Sequence, residues 1–445
     1  MMRERNKIIM EYGTYMLAYF ASYIASLAGL HLLSGALLII EALYLYVHWV
    51  RESGSVVEMR ALFTLSWVGG QGIACLKLSE LQTDWHYITW LCFGLIYLVF
   101  GIGYEWGQKY VKVREFELEK NETQKKRLFL CIMGLAVVSI LCFAFEAVKV
   151  GFIPVFSDKP HAYSYFHVSG VHYFTISCIL IPAITVLYRK VSGRLAKGEF
   201  FAIAFANVTA LAIPFLCVSR FQLLFAVGFA VVTYIMVNKR IRLRTMVILL
   251  AAMIPIYVIL TIFRNHDVAY LNSIFEMKWD KMPIFITQPY IYVANNFENF
   301  NCMVVGLTEH TWGIRMLFPL FALTGLKFVF SQLISSPLFL TKPELTTLTM
   351  FYDAYYDFGI IGVCLFAALL GGVAKVLASI VKKSRNPIAY LFYGQIAIYL
   401  GLSFFTTWFS NPTTWFWLIL TGMMYLFVGY DKNRKEKSEE KEDGN

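Results

Sequence analysis

Three arginines sit at the edges of apolar blocks or inside them. Arg220 lies in CVSRFQLLF, Arg264 in TIFRNHD and Arg315 in WGIRMLF. A guanidinium at such a depth is costly without a partner. Its planar fork suits a phosphate or carboxylate, although an arginine can also simply reach out to lipid headgroups. His310 precedes Arg315 in LTEHTWGIR, and an imidazole can accept a proton near neutral pH. Downstream, TTLTMFYDAYYDFGIIG at 346–362 crowds Tyr352, Asp353, Tyr355, Tyr356 and Asp357 at the mouth of another apolar block. Carboxylates beside aromatic rings are what a sugar site uses: acids bind hydroxyls and rings cover the apolar sugar face. Tyrosines also belt membrane interfaces, but a belt does not account for two aspartates. Asp357 has a further alternative, capping a helix that begins near Phe358.

The elements that position these groups are membrane spans. Of 445 residues, 58% are hydrophobic and 15% charged, with a mean hydropathy of +0.59. An average soluble domain carries roughly a quarter charged residues. The apolar residues come in blocks long enough for a helix to cross the hydrocarbon core, as at 246–263 and 415–429. By that criterion the fold is all-α, a polytopic membrane protein of about twelve transmembrane helices. Their approximate limits are 11–30, 32–50, 61–78, 88–106, 128–149, 171–188, 199–218, 221–237, 245–263, 359–380, 388–408 and 415–430. The basic start MMRERNK leads into the first span and carries no cleavage site of a secretory leader. Residues 1–430 read as one membrane domain, and 431–445 as a disordered, solvated tail of mixed charge.

Most of the 39 lysines and arginines fall in segments that are cytoplasmic if both termini are inside. Lys125-Lys126-Arg127 and the basic run at 239–244 are the clearest of these. That distribution, rather than nucleic-acid binding, explains the net charge of +10. The outer face then carries one long segment, 264–358. Its apolar stretch at 312–330 is interrupted by Arg315, Pro319 and Lys327 and reads as an interfacial or re-entrant helix. Crossing there would put the basic run at 382–385 outside, against the charge rule.

Other features carry less. His86, His161, His167, His172 and His266 also fall on the outer side. No HxxxH or His–carboxylate spacing points to a metal. The eight cysteines form no CxxC pair and read as small apolar core residues. The amide-rich YIYVANNFENFN at 290–301 fits sugar hydroxyls or an ordinary polar loop. Glu41 lies inside the second span, and Pro214 and Pro255 are placed to kink theirs. No P-loop or dinucleotide fingerprint occurs in a suitable context, which argues against nucleotide hydrolysis.

Taken together, the span count, the inner termini, the late outer loop, SRFQLL, the arginine after the ninth span and TMFYDAYYDFGIIG resemble bacterial oligosaccharide repeat-unit polymerases. These are the Wzy-type O-antigen and capsule polymerases; the resemblance to O-antigen ligases is looser. It covers most of the chain as an architecture and about 40 residues as motifs. It implies a GT-C-like helical glycosyltransferase at the outer face of a bacterial plasma membrane, with no cofactor. The implied donor is a glycan on undecaprenyl diphosphate, and the acceptor a second lipid-linked repeat unit. Arg220 and Arg264 would contact diphosphate, joined by Arg315. His310 would be the base, with Asp353 its rival, and Tyr352, Tyr355, Tyr356 and Asp357 would contact sugar. Membrane lipids, a chain-length regulator and a flippase are the implied partners, with no nucleic acid. The competing expectations are a flippase or transporter of the lipid-linked glycan, which often shows paired repeats, and a ligase differing only in its acceptor.

Overall fold

The computed structural model describes residues 2–108, 117–157, 162–193, 195–239, 268–279, 281–333 and 337–429. Among these residues every regular element is helical, apart from an isolated antiparallel bridge between Ser79 and Met277. In chain order the α-helices are α1 (Met2–Leu27), α2 (His31–Ser53), α3 (Met59–Cys75), α4 (Tyr87–Gln108), α5 (Glu122–Val150), α6 (Ala162–Tyr165), α7 (Val171–Thr175), α8 (Ile181–Val191), α9 (Lys197–Leu216) and α10 (Arg220–Asn238). They continue with α11 (Val268–Phe275), α12 (Ile284–Gly306), α13 (Phe318–Leu323), α14 (Leu326–Val329), α15 (Tyr352–Lys383), α16 (Ile388–Gly401) and α17 (Pro412–Gly429).

Among the described residues, eight helical segments are long and apolar enough to cross a membrane: α2, α4, α5, Val171–Val191, α9, α10, α15 and α17. Their outward faces are those of lipid-facing helices. Ile361, Leu365 and Leu369 recur every four residues on α15 and are 62–70% exposed. Phe201, Phe205 and Val208 recur at spacings of four and three on α9 and are 54–69% exposed. The protein is a polytopic helical membrane protein.

The other expected spans behave differently. Residues 11–30 fall largely on α1, which does not meet the same length, hydropathy and charge limits. The 61–78 block ends as a helix at Cys75, leaving α3 with 17 residues. The 388–408 block stops at Gly401 after 14 residues and closes with a single 3-10 turn at Trp408–Ser410. The 245–263 block, with Pro255, lies outside the described residues.

The chain divides into two compact units. One comprises 1–113, 264–379 and 396–415; the other comprises 114–263, 380–395 and 416–445. The first unit is built on an aromatic core. Trp67 is fully buried, with Phe351, Phe93 and Phe297 at ring-centroid distances of 4.9, 5.6 and 5.3 Å. Its indole N–H donates to the Phe93 carbonyl at 3.2 Å. Helices α4 and α15 meet backbone to backbone: a side chain at Gly103 would run into the Ala368 carbonyl, and one at Gly371 into that of Phe100. Small residues let membrane helices approach this closely.

The long segment 264–358 holds more helix than its composition predicts. Its amide-rich stretch lies within α12, a 23-residue helix that is buried nearly all round over 290–301. The polar positions repeat at helical spacing, and each finds a partner. Asn299 donates to the carbonyls of Leu345 and Thr347 at 2.8 and 2.9 Å and accepts from the Thr341 N–H. Asn296 donates to the Phe404 carbonyl and accepts from the Thr347 hydroxyl. Glu298 accepts from Thr83 at 2.6 Å and from the Trp85 indole at 2.9 Å. The amides are therefore interior fasteners, as buried polar groups must be.

The 312–330 stretch is not one helix. Trp312 and Gly313 both have positive φ, Pro319 opens α13, and Gly325, at φ 79°, separates α13 from α14. Leu317, Leu320, Phe328 and Val329 stay exposed.

In the second unit, Val155 on the 151–157 segment packs with Val218 and Leu223, on either side of Arg220. Gln395 donates to the Thr421 hydroxyl at 2.8 Å, and Asn386 to the Tyr425 carbonyl at 2.7 Å. These bonds tie α16 and the segment before it to α17.

Candidate functional site

Helix α15 begins at Tyr352, six residues earlier than the sequence predicts, and is broken at Gly359 (φ 60°, ψ −145°). That backbone region is essentially closed to other residues. A break interrupts the helical ladder and leaves carbonyls to be satisfied from outside. Here the strap 310–316 supplies the donors. Thr311 N–H reaches the Tyr356 carbonyl at 3.4 Å and Trp312 N–H the Asp357 carbonyl at 3.2 Å.

Asp357 completes the anchor. It is fully buried and accepts from the Thr311 hydroxyl, from Arg315 N–H at 3.2 Å and from Met316 N–H at 2.7 Å. Asp357 is a cap, as one reading of the sequence allowed, but it caps the strap and not its own helix. In this geometry its carboxylate is engaged with the strap and turned away from solvent.

The strap carries two groups with open chemistry. The His310 Nδ1 lies 3.1 Å from the Tyr356 carbonyl. A carbonyl only accepts, so Nδ1 carries a proton, and in the neutral ring Nε2 keeps its lone pair. Nε2 faces the helix break, where a Cβ built on Gly359 would lie 3.1 Å from it. The imidazole is therefore held in the tautomer a general base needs.

Arg315 is fixed through one edge. Its Nε donates to Asp353 Oδ1 at 2.5 Å, and its guanidinium lies over the Tyr356 ring at 4.6 Å and the Tyr352 ring at 5.7 Å. Among the described residues its two terminal nitrogens have no hydrogen-bond partner. A half-buried fork with a free outer edge can receive an anionic oxygen pair. Asp353, at 3% exposure, is committed to holding that fork.

The tyrosines form the wall. Tyr352 is fully buried, and its hydroxyl accepts from Phe339 N–H at 2.9 Å. Tyr355 packs between the rings of Phe300 (5.3 Å) and His310 (6.2 Å), and Tyr356 stacks near Phe339. Helix α12 positions this wall at one remove, because Asn295 and Asn299 hold Thr341 and so the strand of chain that reaches Phe339.

The structure thus brings together His310, Arg315, Tyr352, Asp353, Tyr355, Tyr356 and Asp357 within the first unit. Arg220 belongs to the second unit, where it opens α10 after a strained Val218 (φ 53°). Arg264 lies outside the described residues.

One constellation in the second unit escaped sequence reasoning. Glu146, fully buried on α5, accepts from Val168 N–H at 2.8 Å and the Thr175 hydroxyl at 2.7 Å, and its carboxylate lies 3.1 Å from His172 Nδ1. The signal was an acid near the end of an apolar block followed by histidines in the next loop, a spacing no motif describes.

Outside the spans, one carboxyl shift has a clear cause. The Lys77 ammonium, 2.6 Å away, holds Asp84 below the usual carboxylate range.

Comparison with protein-family models, with curated proteins and with solved structures yields no match to this chain.

Proposed function

We propose that this protein is a glycosyltransferase that polymerises oligosaccharide repeats carried on undecaprenyl diphosphate, at the outer face of a bacterial plasma membrane. The observation that carries the proposal is the strap on α15. It presents a base-competent imidazole and an arginine whose outer edge is free among the described residues, five residues apart and anchored to the same helical turn. The proposal includes a GT-C-like membrane domain of about twelve crossings with both termini cytoplasmic. Its partners are the lipid-linked glycan, membrane lipids, a flippase and a chain-length regulator.

The reaction uses the two groups in sequence. His310 Nε2 takes the proton of the acceptor hydroxyl as its oxygen forms a bond to the anomeric carbon. The bond from that carbon to the diphosphate breaks, and its electron pair leaves on the diphosphate oxygen. Arg315 meets that developing charge, with Arg264, expected from the sequence, as a further diphosphate contact. Fixed cations stabilise the leaving group more than the ground state, which is the origin of the rate. A single displacement inverts the anomeric centre. Tyr352, Tyr355 and Tyr356 are buried behind the strap and contact sugar only once it moves aside, and Asp353 and Asp357 keep fork and strap in register.

The direct test is purified protein in detergent with a synthetic lipid-diphosphate repeat unit. A ladder of longer glycans is expected with the wild-type protein. With His310→Ala it should fall by about 10²–10⁴-fold. A wild-type protein that makes no ladder, or a His310→Ala variant as active as wild type, would overturn the assignment. Glycan transfer to a non-repeat acceptor only would indicate a ligase.

A further inference from the structure

Helices α1 and α2 form an antiparallel hairpin, turned at Ala28–Leu30, that has no part in the site above. Towards its open end Glu11 of α1 meets His48 and Glu52 of α2. His48 and Glu52 are four residues apart and so share one helix face, a His–carboxylate spacing that the reading of the sequence passed over. One donor atom from each of the three residues lies within 4.8 Å of the other two.

Three features of this cluster go beyond an ion pair. His48 Nε2 contacts Glu11 Oε1 and lies 3.4 Å from Glu52 Oε2, so one imidazole nitrogen faces two carboxylates. Glu11 is 5% exposed, and among the described residues its Oε2 has no hydrogen-bond partner. Arg60, the buried guanidinium of this region, is committed to Glu105 and Tyr12 and stacked on Trp49. A buried carboxylate with an unmet oxygen is expensive, and a cation bridging all three side chains removes that cost.

We propose that Glu11, His48 and Glu52 bind a divalent transition cation of the zinc class. Imidazole with carboxylates is a borderline donor set that suits zinc and its neighbours better than calcium or magnesium. Ligands about 2.1 Å from a tetrahedral ion lie roughly 3.4 Å from one another, the separation of His48 Nε2 and Glu52 Oε2. Glu11 enters through its free Oε2, while Oε1 gives up its contact with the imidazole. Water takes the fourth position. The site clamps the open ends of α1 and α2, where the hairpin has no connecting turn.

The test uses the full chain without a polyhistidine tag, purified in detergent, stripped with chelator and equilibrated with zinc chloride. One tightly bound equivalent per chain is expected, with a raised melting temperature. Glu52 is 52% exposed, so Glu52→Gln leaves the fold intact. It should weaken zinc binding at least tenfold and abolish the thermal shift, as should Glu11→Gln. Cobalt as a probe should give ligand-field bands without the thiolate charge-transfer band of a cysteine site. No retained zinc, or equal retention by wild type and both variants, would overturn the proposal.

Discussion

Gly359→Ala is the perturbation that bears most directly on how the strap and the helix depend on each other. At φ 60° and ψ −145° an alanine is forced into backbone space essentially reserved for glycine. That strain costs about 1–3 kcal/mol. The new methyl would also sit 3.1 Å from His310 Nε2 and 3.2 Å from its Cε1, tighter than ordinary packing. The chain can relieve the strain only by straightening the helix or by pushing the imidazole away. Straightening would return the Tyr356 and Asp357 carbonyls to the helical ladder and release Thr311 and Trp312 from them. Displacement of a base by about 1 Å costs on the order of a hundredfold in rate. Gly372→Ala on the same helix is the control. Its φ is not positive, and its Cβ would meet only the Gly103 carbonyl, at 3.6 Å. Melting in detergent and glycan elongation by the purified variants are the two assays. Gly359→Ala should melt several degrees below Gly372→Ala and elongate about a hundredfold more slowly. If both variants match wild type in both assays, the break does not depend on glycine, and the argument that it places His310 fails.

Two carboxylates on α12 and α15 should both resist the amide isostere. Glu298→Gln keeps the Trp85 bond through its amide oxygen but turns an NH₂ towards the Asn301 amide, which donates to Oε1, and should cost about 1 kcal/mol; Glu298→Ala strands the Trp85, Thr83 and Asn301 donors and should cost about 2–4 kcal/mol. Asp357→Asn puts an NH₂ against backbone N–H groups on one side or the other and should cost about 1–3 kcal/mol, seen as faster proteolysis within 310–316. Arg315→Lys keeps the charge but loses the fork, so it should raise KM for the lipid-linked donor more than Asp353→Asn does. Because Asp84 is held below its ordinary value, the Lys77 contact contributes above about pH 4 and is lost as pH falls; Asp84→Asn should flatten the acid limb of stability, and an unchanged limb would remove the pair from the account.

Much of the scaffold was legible because lipid solvation leaves a strong mark: long apolar blocks become helices, and their ends carry basic residues. The mark fails where a helix is buried among protein. Helix α12 looked like a polar loop because amides usually favour loops; its partners at 341–347 and 404 are distant in sequence, so the bonds that permit it were invisible. The blocks at 61–78 and 388–408 were apolar enough for spans, but composition does not reveal where a turn intervenes. At the site, His310 and Arg315 were linked by proximity along the chain, and the Tyr352–Asp357 cluster by its crowding. That the two lie against each other could not be read, since it depends on the break at Gly359. Asp357 shows the same limit, for its capping chemistry was apparent while the segment it caps was not.

The central claim is polymerisation at the outer face, and surface-polysaccharide length tests it most directly. Cells lacking the gene would be complemented with wild type, His310→Ala or Arg264→Ala at equal expression, and the chain-length distribution compared. The account predicts single repeat units in the deletion strain, long chains restored by wild type, and no restoration by either variant. Long chains in every strain would contradict it, and lipid-linked units trapped on the cytoplasmic face would identify a flippase instead.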